Sequence, residues 1–152
     1  MDRVQNEALH LLVVLSRASQ WVHAHSDKSI REYGLTRTEF GVLELLYHKG
    51  RQPTQQIGNK VLMSSGNITY TVDKLEKKGF VARKTCKEDR RLVYAEITER
   101  GKQFIEEVFP RHTKLIEEVL GGLSPEEMQT AAKLLKKLGK HAEESYKEEG
   151  FK

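Results

Sequence analysis

The feature that most constrains this chain is a change of apolar period at Gly79. Before it, hydrophobic residues recur at three and four, the spacing of one helix face; after it they alternate, the spacing of a half-buried strand. Ser64 is placed to cap a helix with Ile68, Val72 and Leu75 inward at i, i+4 and i+7, and Lys77-Lys78-Gly79 ends it. Residues 80–85 and 92–97 then read as short strands around a polar tip, Cys86-Lys87-Glu88-Asp89-Arg90-Arg91. The pattern predicts a helix feeding a β-hairpin with a basic end.

Upstream, Val4, Ala8, Leu11, Leu12, Leu15, Ala18 and Val22 form the stripe of a buried helix over residues 4–25, widened by Leu9, Val13, Val14 and Trp21. A helix apolar over more than half its circumference needs partners on two sides, and in a chain of 152 residues a second subunit is the natural source of one of them. After a break at Tyr33-Gly34-Leu35, Thr36 or Thr38 caps a helix that stops at Lys49-Gly50. Thr54 starts a short one with Ile57, Val61 and Leu62 inward, and Met63-Ser64-Ser65-Gly66 is the next turn. Downstream, Thr98 caps a long helix with Phe104, Ile105, Val108 and Phe109 inward, and Gly121-Gly122 ends it. Ser124-Pro125-Glu126-Glu127 opens the last helix, expected to fray from Glu143.

Charge sharpens this outline. Residues 1–50 carry six basic and six acidic side chains, residues 51–102 twelve and six, and residues 103–152 eight and ten, a distribution of 0, +6 and −2. A basic centre between neutral and acidic flanks fits a polyanion, most often nucleic acid, and equally a solvated face. The single cysteine, Cys86, excludes an intramolecular disulfide and fits a reducing compartment. The apolar run at residues 9–15 is too short for a membrane span and lacks a signal peptide's basic flank, so a cytoplasmic location is expected.

Helix, helix, short helix, turn, helix and basic hairpin is the order of a winged helix-turn-helix, whose post-turn helix enters the DNA major groove. With Ile68, Val72 and Leu75 buried, that helix shows Ser65, Gly66, Asn67, Thr69 and Tyr70 early and Lys74 and Lys77 later. Small hydrogen-bonding groups suit base edges, and the later cations suit phosphates. Ser64 or Ser65 can donate to a phosphate at the helix start. Lys87, Arg90 and Arg91 at the tip suit a minor groove.

Residues 64–81, the Asp89-Arg90-Arg91 run and Ile97-Thr98-Glu99-Arg100-Gly101 together resemble the MarR family of bacterial transcription regulators. The resemblance implies a mainly α fold with a small β-hairpin wing, its N- and C-terminal helices forming a dimerisation region. By it, residues 1–34 and 99–152 intertwine with a second copy and residues 35–98 form the DNA-binding lobe. It implies a homodimer on a palindromic operator, with Ser65, Gly66, Asn67, Thr69 and Tyr70 in the major groove. Ser64, Lys74, Lys77, Lys84 and Lys87 would lie on the backbone, with Asp89, Arg90 and Arg91 at the minor groove and Asp89 positioning Arg91. Such dimers usually repress and release DNA to a small phenolic ligand or an oxidant. Around Thr69-Tyr70 and residues 89–95 the chain is most similar to the quinone- and hydroquinone-responsive members.

The reactive cysteine of the peroxide-sensing branch lies in the first helix, which has none here. Cys86 sits at the wing, where Arg83, Lys84 and Lys87 would favour its thiolate and make it a candidate redox site. Trp21, His25, Phe40, Tyr47 and His112 are core or interface residues, of which a subset is a candidate aromatic effector pocket. His23 and His25 point to different sides of a helix, and no zinc spacing is present. Phosphate-loop and nucleophile-elbow signatures are missing, so neither enzymatic activity nor a cofactor is expected. The competing reading is a winged helix used only for protein association, which would show apolar residues where Asn67, Thr69, Lys74 and Lys77 stand.

Overall fold

A computed structural model describes residues 1–61 and 65–150. The elements run α1 (Arg3–Glu32), α2 (Arg37–Lys49), β1 (Gln52–Pro53), α3 (Thr54–Val61), α4 (Ser65–Lys77), β2 (Val81–Thr85), β3 (Val93–Ile97), α5 (Glu99–Val119) and α6 (Pro125–Gly150). They form a winged helix-turn-helix: α2, α3 and α4 pack around one apolar core, and an antiparallel sheet closes it. Two compact units divide the chain, Met1–Leu115 and Ile116–Lys152.

Local chemistry accounts for the helix starts. Asp2 and Gln5 make a reciprocal capping box at α1. Thr36, not Thr38, caps α2, its Oγ1 accepting from the Glu39 N–H at 3.2 Å. Gly34, at φ +81°, supplies the left-handed turn between α1 and α2. In the core, Val42, Leu43, Leu46, Ile57, Val72 and Leu75 are fully buried, with Ile68 beside them. The expected inward Val61 and Leu62, and Met63 and Ser64 of the turn, lie outside the described side chains.

Several details depart from the sequence pattern. The hairpin has a third strand: Gln52 pairs with Ala95 and Pro53 with Tyr94, giving the order β1-β3-β2. Two residues are too few to show a period, and Pro53 is tolerated because β1 is an edge. Helix α1 runs on to Glu32 through the polar stretch at residues 25–29, where Asp27 takes a bidentate bond from Arg37 and Ile30 reaches the core. The stripe expected to be buried is open in the single chain, with Val4 76%, Leu12 58% and Trp21 67% exposed. The last helix does not fray at Glu143 but continues to Gly150, where Lys147 pairs with Glu143 and the Ser145 hydroxyl donates to the His141 carbonyl.

The α5 start ties the wing to the lobe. Thr98 Oγ1 donates to the Gly79 carbonyl at 2.6 Å and accepts from the Gly101 N–H at 3.1 Å, while the Thr98 N–H donates to the Phe80 carbonyl. A Cβ on Gly101 would lie 2.3 Å from that carbonyl oxygen, so the close approach of α5 to the base of the wing requires glycine.

Candidate nucleic-acid interface

Helix α4 is positioned by its buried side, Ile68, Thr71, Val72 and Leu75, which leaves Asn67, Thr69, Tyr70, Asp73 and Lys77 exposed. Ser65 opens the helix, with Gly66 in its first turn. The Lys74 ammonium sits 4.8 Å from the Tyr70 ring centroid, and a hydrogen bond with Tyr70 raises its pKa above the ordinary lysine value. Lys74 thus stays cationic beside an aromatic ring on the same face.

Arg83 joins this helix to the wing. From β2, its Nη1 contacts Asp73 at 2.6 Å and Glu76 at 3.1 Å, and its Nη2 donates to the Thr69 carbonyl at 3.2 Å. The Arg83 backbone N–H also donates to Glu76 at 3.3 Å. A planar guanidinium with several donors can hold three groups at once. The sequence showed Arg83 only as a neighbour of Cys86. Its guanidinium is taken up by α4 and not by the Cys86 cleft, and a basic residue in a strand beside two helix carboxylates was the signal that could have found it.

At the wing, Asp89 Oδ1 accepts from the Arg91 backbone N–H at 3.0 Å and from Arg91 Nε at 3.2 Å. The Leu92 N–H donates to the Asp89 carbonyl and the Cys86 N–H to the Leu92 carbonyl, closing the loop. The Arg91 side chain is 92% exposed, and Arg90 and Lys87 are exposed beside it. Lys84 pairs across the sheet with Glu96 at 2.7 Å, and this ammonium holds the Glu96 carboxyl below its usual pKa. Cys86 is half-buried in a cleft of about 380 Å³ that it shares with Arg51, Lys84, Lys87, Glu88 and Tyr94.

Of the five aromatic candidates, the structure joins two directly: Phe40 and His112 lie 4.8 Å apart between ring centroids. Burial lowers the His112 pKa, the Glu44 carboxylate opposing it, and its Nδ1 is buried without a hydrogen-bond partner among the described residues. Tyr47 stands farther along α2, its ring against His48 and its hydroxyl 3.4 Å from Glu106. Trp21 and His25 are exposed on α1. Among the described residues no three His, Cys, Asp or Glu side chains form a metal cluster, and no helix is long and apolar enough to cross a membrane.

A polar, cation-bearing helix locked by an arginine to a basic wing defines the class of winged helix-turn-helix transcription regulators. The family model described as "MarR family" matches residues 35–93. The chain is 48% identical over 138 residues to the HTH-type transcriptional regulator MhqR of Bacillus subtilis, covering 91% of this chain and 95% of that one. The chain therefore belongs to the MarR family and is a transcription regulator, not an enzyme. Its fold is also that of the MarR family regulator Sco3205 of Streptomyces coelicolor, solved in complex with DNA, at TM-score 0.83 and 19% identity over 90% of this chain and 88% of that one. A structure of BpsR from Bordetella bronchiseptica, on the regulation of its DNA binding by 6-hydroxynicotinic acid, matches at TM-score 0.76 and 25% identity over 83% of this chain and 90% of that one.

Proposed function

We propose that this regulator is a cytoplasmic homodimeric repressor that binds a palindromic operator and is released from it by a small phenolic or quinone-like ligand, or by an oxidant. The observation that carries the reading is the Arg83 clamp, which sets a polar helix face and a basic wing in one fixed relation. Residues 35–98 act as the reading lobe, with Ser65, Gly66, Asn67, Thr69 and Tyr70 in the major groove and Arg91, held by Asp89 beside Arg90, in the minor groove. Ser64, Lys74, Lys77, Lys84 and Lys87 meet phosphates. Residues 1–34 and 99–152 pair the subunits, a role supported by the large side chains that α1 and α6 leave uncovered, among them Leu12, Trp21, Leu134 and Leu135.

The effector site centres on Phe40 and His112. A phenolic hydroxyl can satisfy the unmet His112 Nδ1 while its ring packs on Phe40, and the DNA binding of BpsR is regulated by 6-hydroxynicotinic acid, a hydroxylated aromatic. The polar character of Asn67, Thr69, Lys74 and Lys77 supports DNA as partner over an association surface. The test is a footprint on the DNA upstream of the protein's own gene, with and without methylhydroquinone, benzoquinone and hydrogen peroxide. Paired protection of two half-sites about 34 Å apart, lost with one of these compounds, is expected. Protection indifferent to sequence refutes the operator reading, and protection indifferent to all three compounds refutes the release.

A further inference from the structure

The junction between α1 and the lobe is held by charge. The turn at Gly34 is bracketed by the exposed pair Asp27–Arg37, bidentate at 2.6 and 2.8 Å, and by a half-buried latch. In the latch Lys78 Nζ, at the end of α4, donates to Glu39 on α2 at 2.6 Å and to the Gly34 carbonyl at 2.9 Å. Glu39 is only 3% exposed, so Lys78 is what keeps a carboxylate in that position. One ammonium thus ties the recognition helix, the first lobe helix and the turn that leaves α1.

The geometry points to the Glu39–Lys78–Gly34 latch as a positioning device for half-site spacing: it fixes the angle between α4 and α1, and through it the separation of the two recognition helices in a dimer. The inference rests on the reading that the chain binds as a dimer to paired half-sites. Helix α1 has 30 residues, a lever of about 45 Å, so a change of ~10° at Gly34 moves its far end by ~8 Å. One inserted base pair displaces a half-site by only about 3.4 Å and turns it by about 35°. Small play at the junction therefore spans more than a base pair, and without the latch the dimer would accept operators of several spacings.

The experiment measures full-length protein on operators whose half-sites are moved apart or together by one and two base pairs, with circular dichroism to confirm folding. Wild type should prefer one spacing by tenfold or more. The double variant Glu39→Gln with Lys78→Met, which leaves no lone buried charge, should bind all spacings within about threefold of one another. Lys78→Arg on the wild-type background, which keeps a cation beside Glu39, should keep the preference. Glu39→Gln alone, which leaves Lys78 a hydrogen-bonding partner and its one-third-exposed ammonium open to solvent, should weaken the preference in the same direction and carries the test if the double variant does not fold. A folded double variant with the wild-type preference, or one that loses affinity equally at every spacing, overturns the proposal. Wild type without any spacing preference refutes instead the paired half-sites beneath it, a result distinct from either.

Discussion

Replacing Gly101 by alanine should be among the most damaging single-methyl changes in this chain. The added Cβ would lie 2.3 Å from the Phe80 oxygen and 2.7 Å from Ile97 Cγ1, about 1 Å inside an ordinary contact with the oxygen. That oxygen cannot swing aside freely, because it accepts the Thr98 N–H at 2.9 Å. Overpacking of this kind costs about 1–3 kcal/mol. Displacing α5 also weakens the Thr98 cap, worth about 1 kcal/mol, and alanine's better helix propensity returns about 1 kcal/mol. The net expectation is a loss of about 1–3 kcal/mol, or roughly 3–10 °C in Tm for a chain of this size. Thermal and urea unfolding followed by circular dichroism, at matched protein concentration because subunit pairing adds to apparent stability, measures it. A variant within about 2 °C of wild type would show that α5 and the base of the wing do not meet as described. Because Phe80 leads into β2 and Arg83, operator affinity should fall with stability.

The remaining expectations concern the reading face and the two candidate sensing sites. Asn67→Ala should cost ~1–3 kcal/mol at particular base pairs and little on random DNA; an equal loss on both in a gel shift would remove Asn67 from base readout. Arg91→Ala should weaken operator binding and flatten its salt slope by about 1 if the guanidinium neutralises a phosphate, or relax A·T preference if it reads groove width. Unchanged affinity, slope and preference would take the wing out of contact. If Cys86 is the redox site, Cys86→Ser abolishes release by quinone or peroxide, whereas a serine variant that still lets go of DNA assigns release to the Phe40–His112 site. For His112, burial lowers the folded-state pKa below that of the unfolded chain. The imidazole is neutral in both states above the unfolded value of about 6.5, so its share of stability is intact there. As pH falls through that value the unfolded chain takes up the proton first and stability drops, levelling below the folded pKa. His112→Phe should flatten this acid limb in urea titrations at several pH values; a variant as acid-sensitive as wild type would place the origin elsewhere.

How much was legible in the sequence follows from the range over which each feature is determined. Period and caps are local, and they gave α2, α4, β2, β3 and the α5 start at Thr98, with Ile68, Val72 and Leu75 inward. The motif Ile97-Thr98-Glu99-Arg100-Gly101 was visible as a pattern but not as a mechanism, because the carbonyls of Gly79 and Phe80 that make both Thr98 and Gly101 necessary are set by the turn into β2. Strand β1 is two residues long and exists only through β3, so no period could announce it. The ion pairs are the least legible layer. Nothing local pairs Glu39, in the first turn of α2, with Lys78, in the stop that follows α4, yet they meet across 39 positions of sequence. Arg83 likewise counted toward the positive centre of the chain, while its guanidinium is held by Asp73 and Glu76. Several of the twelve central cations are therefore also structural: Lys78 and Arg83 are held by carboxylates within the lobe, Lys84 and Arg91 each pair with one at the wing, and Lys74, Lys77, Lys87 and Arg90 make up the rest of the proposed contact set. Charge counting points to the middle of the chain, but only the pairing says which of its cations are engaged within the fold.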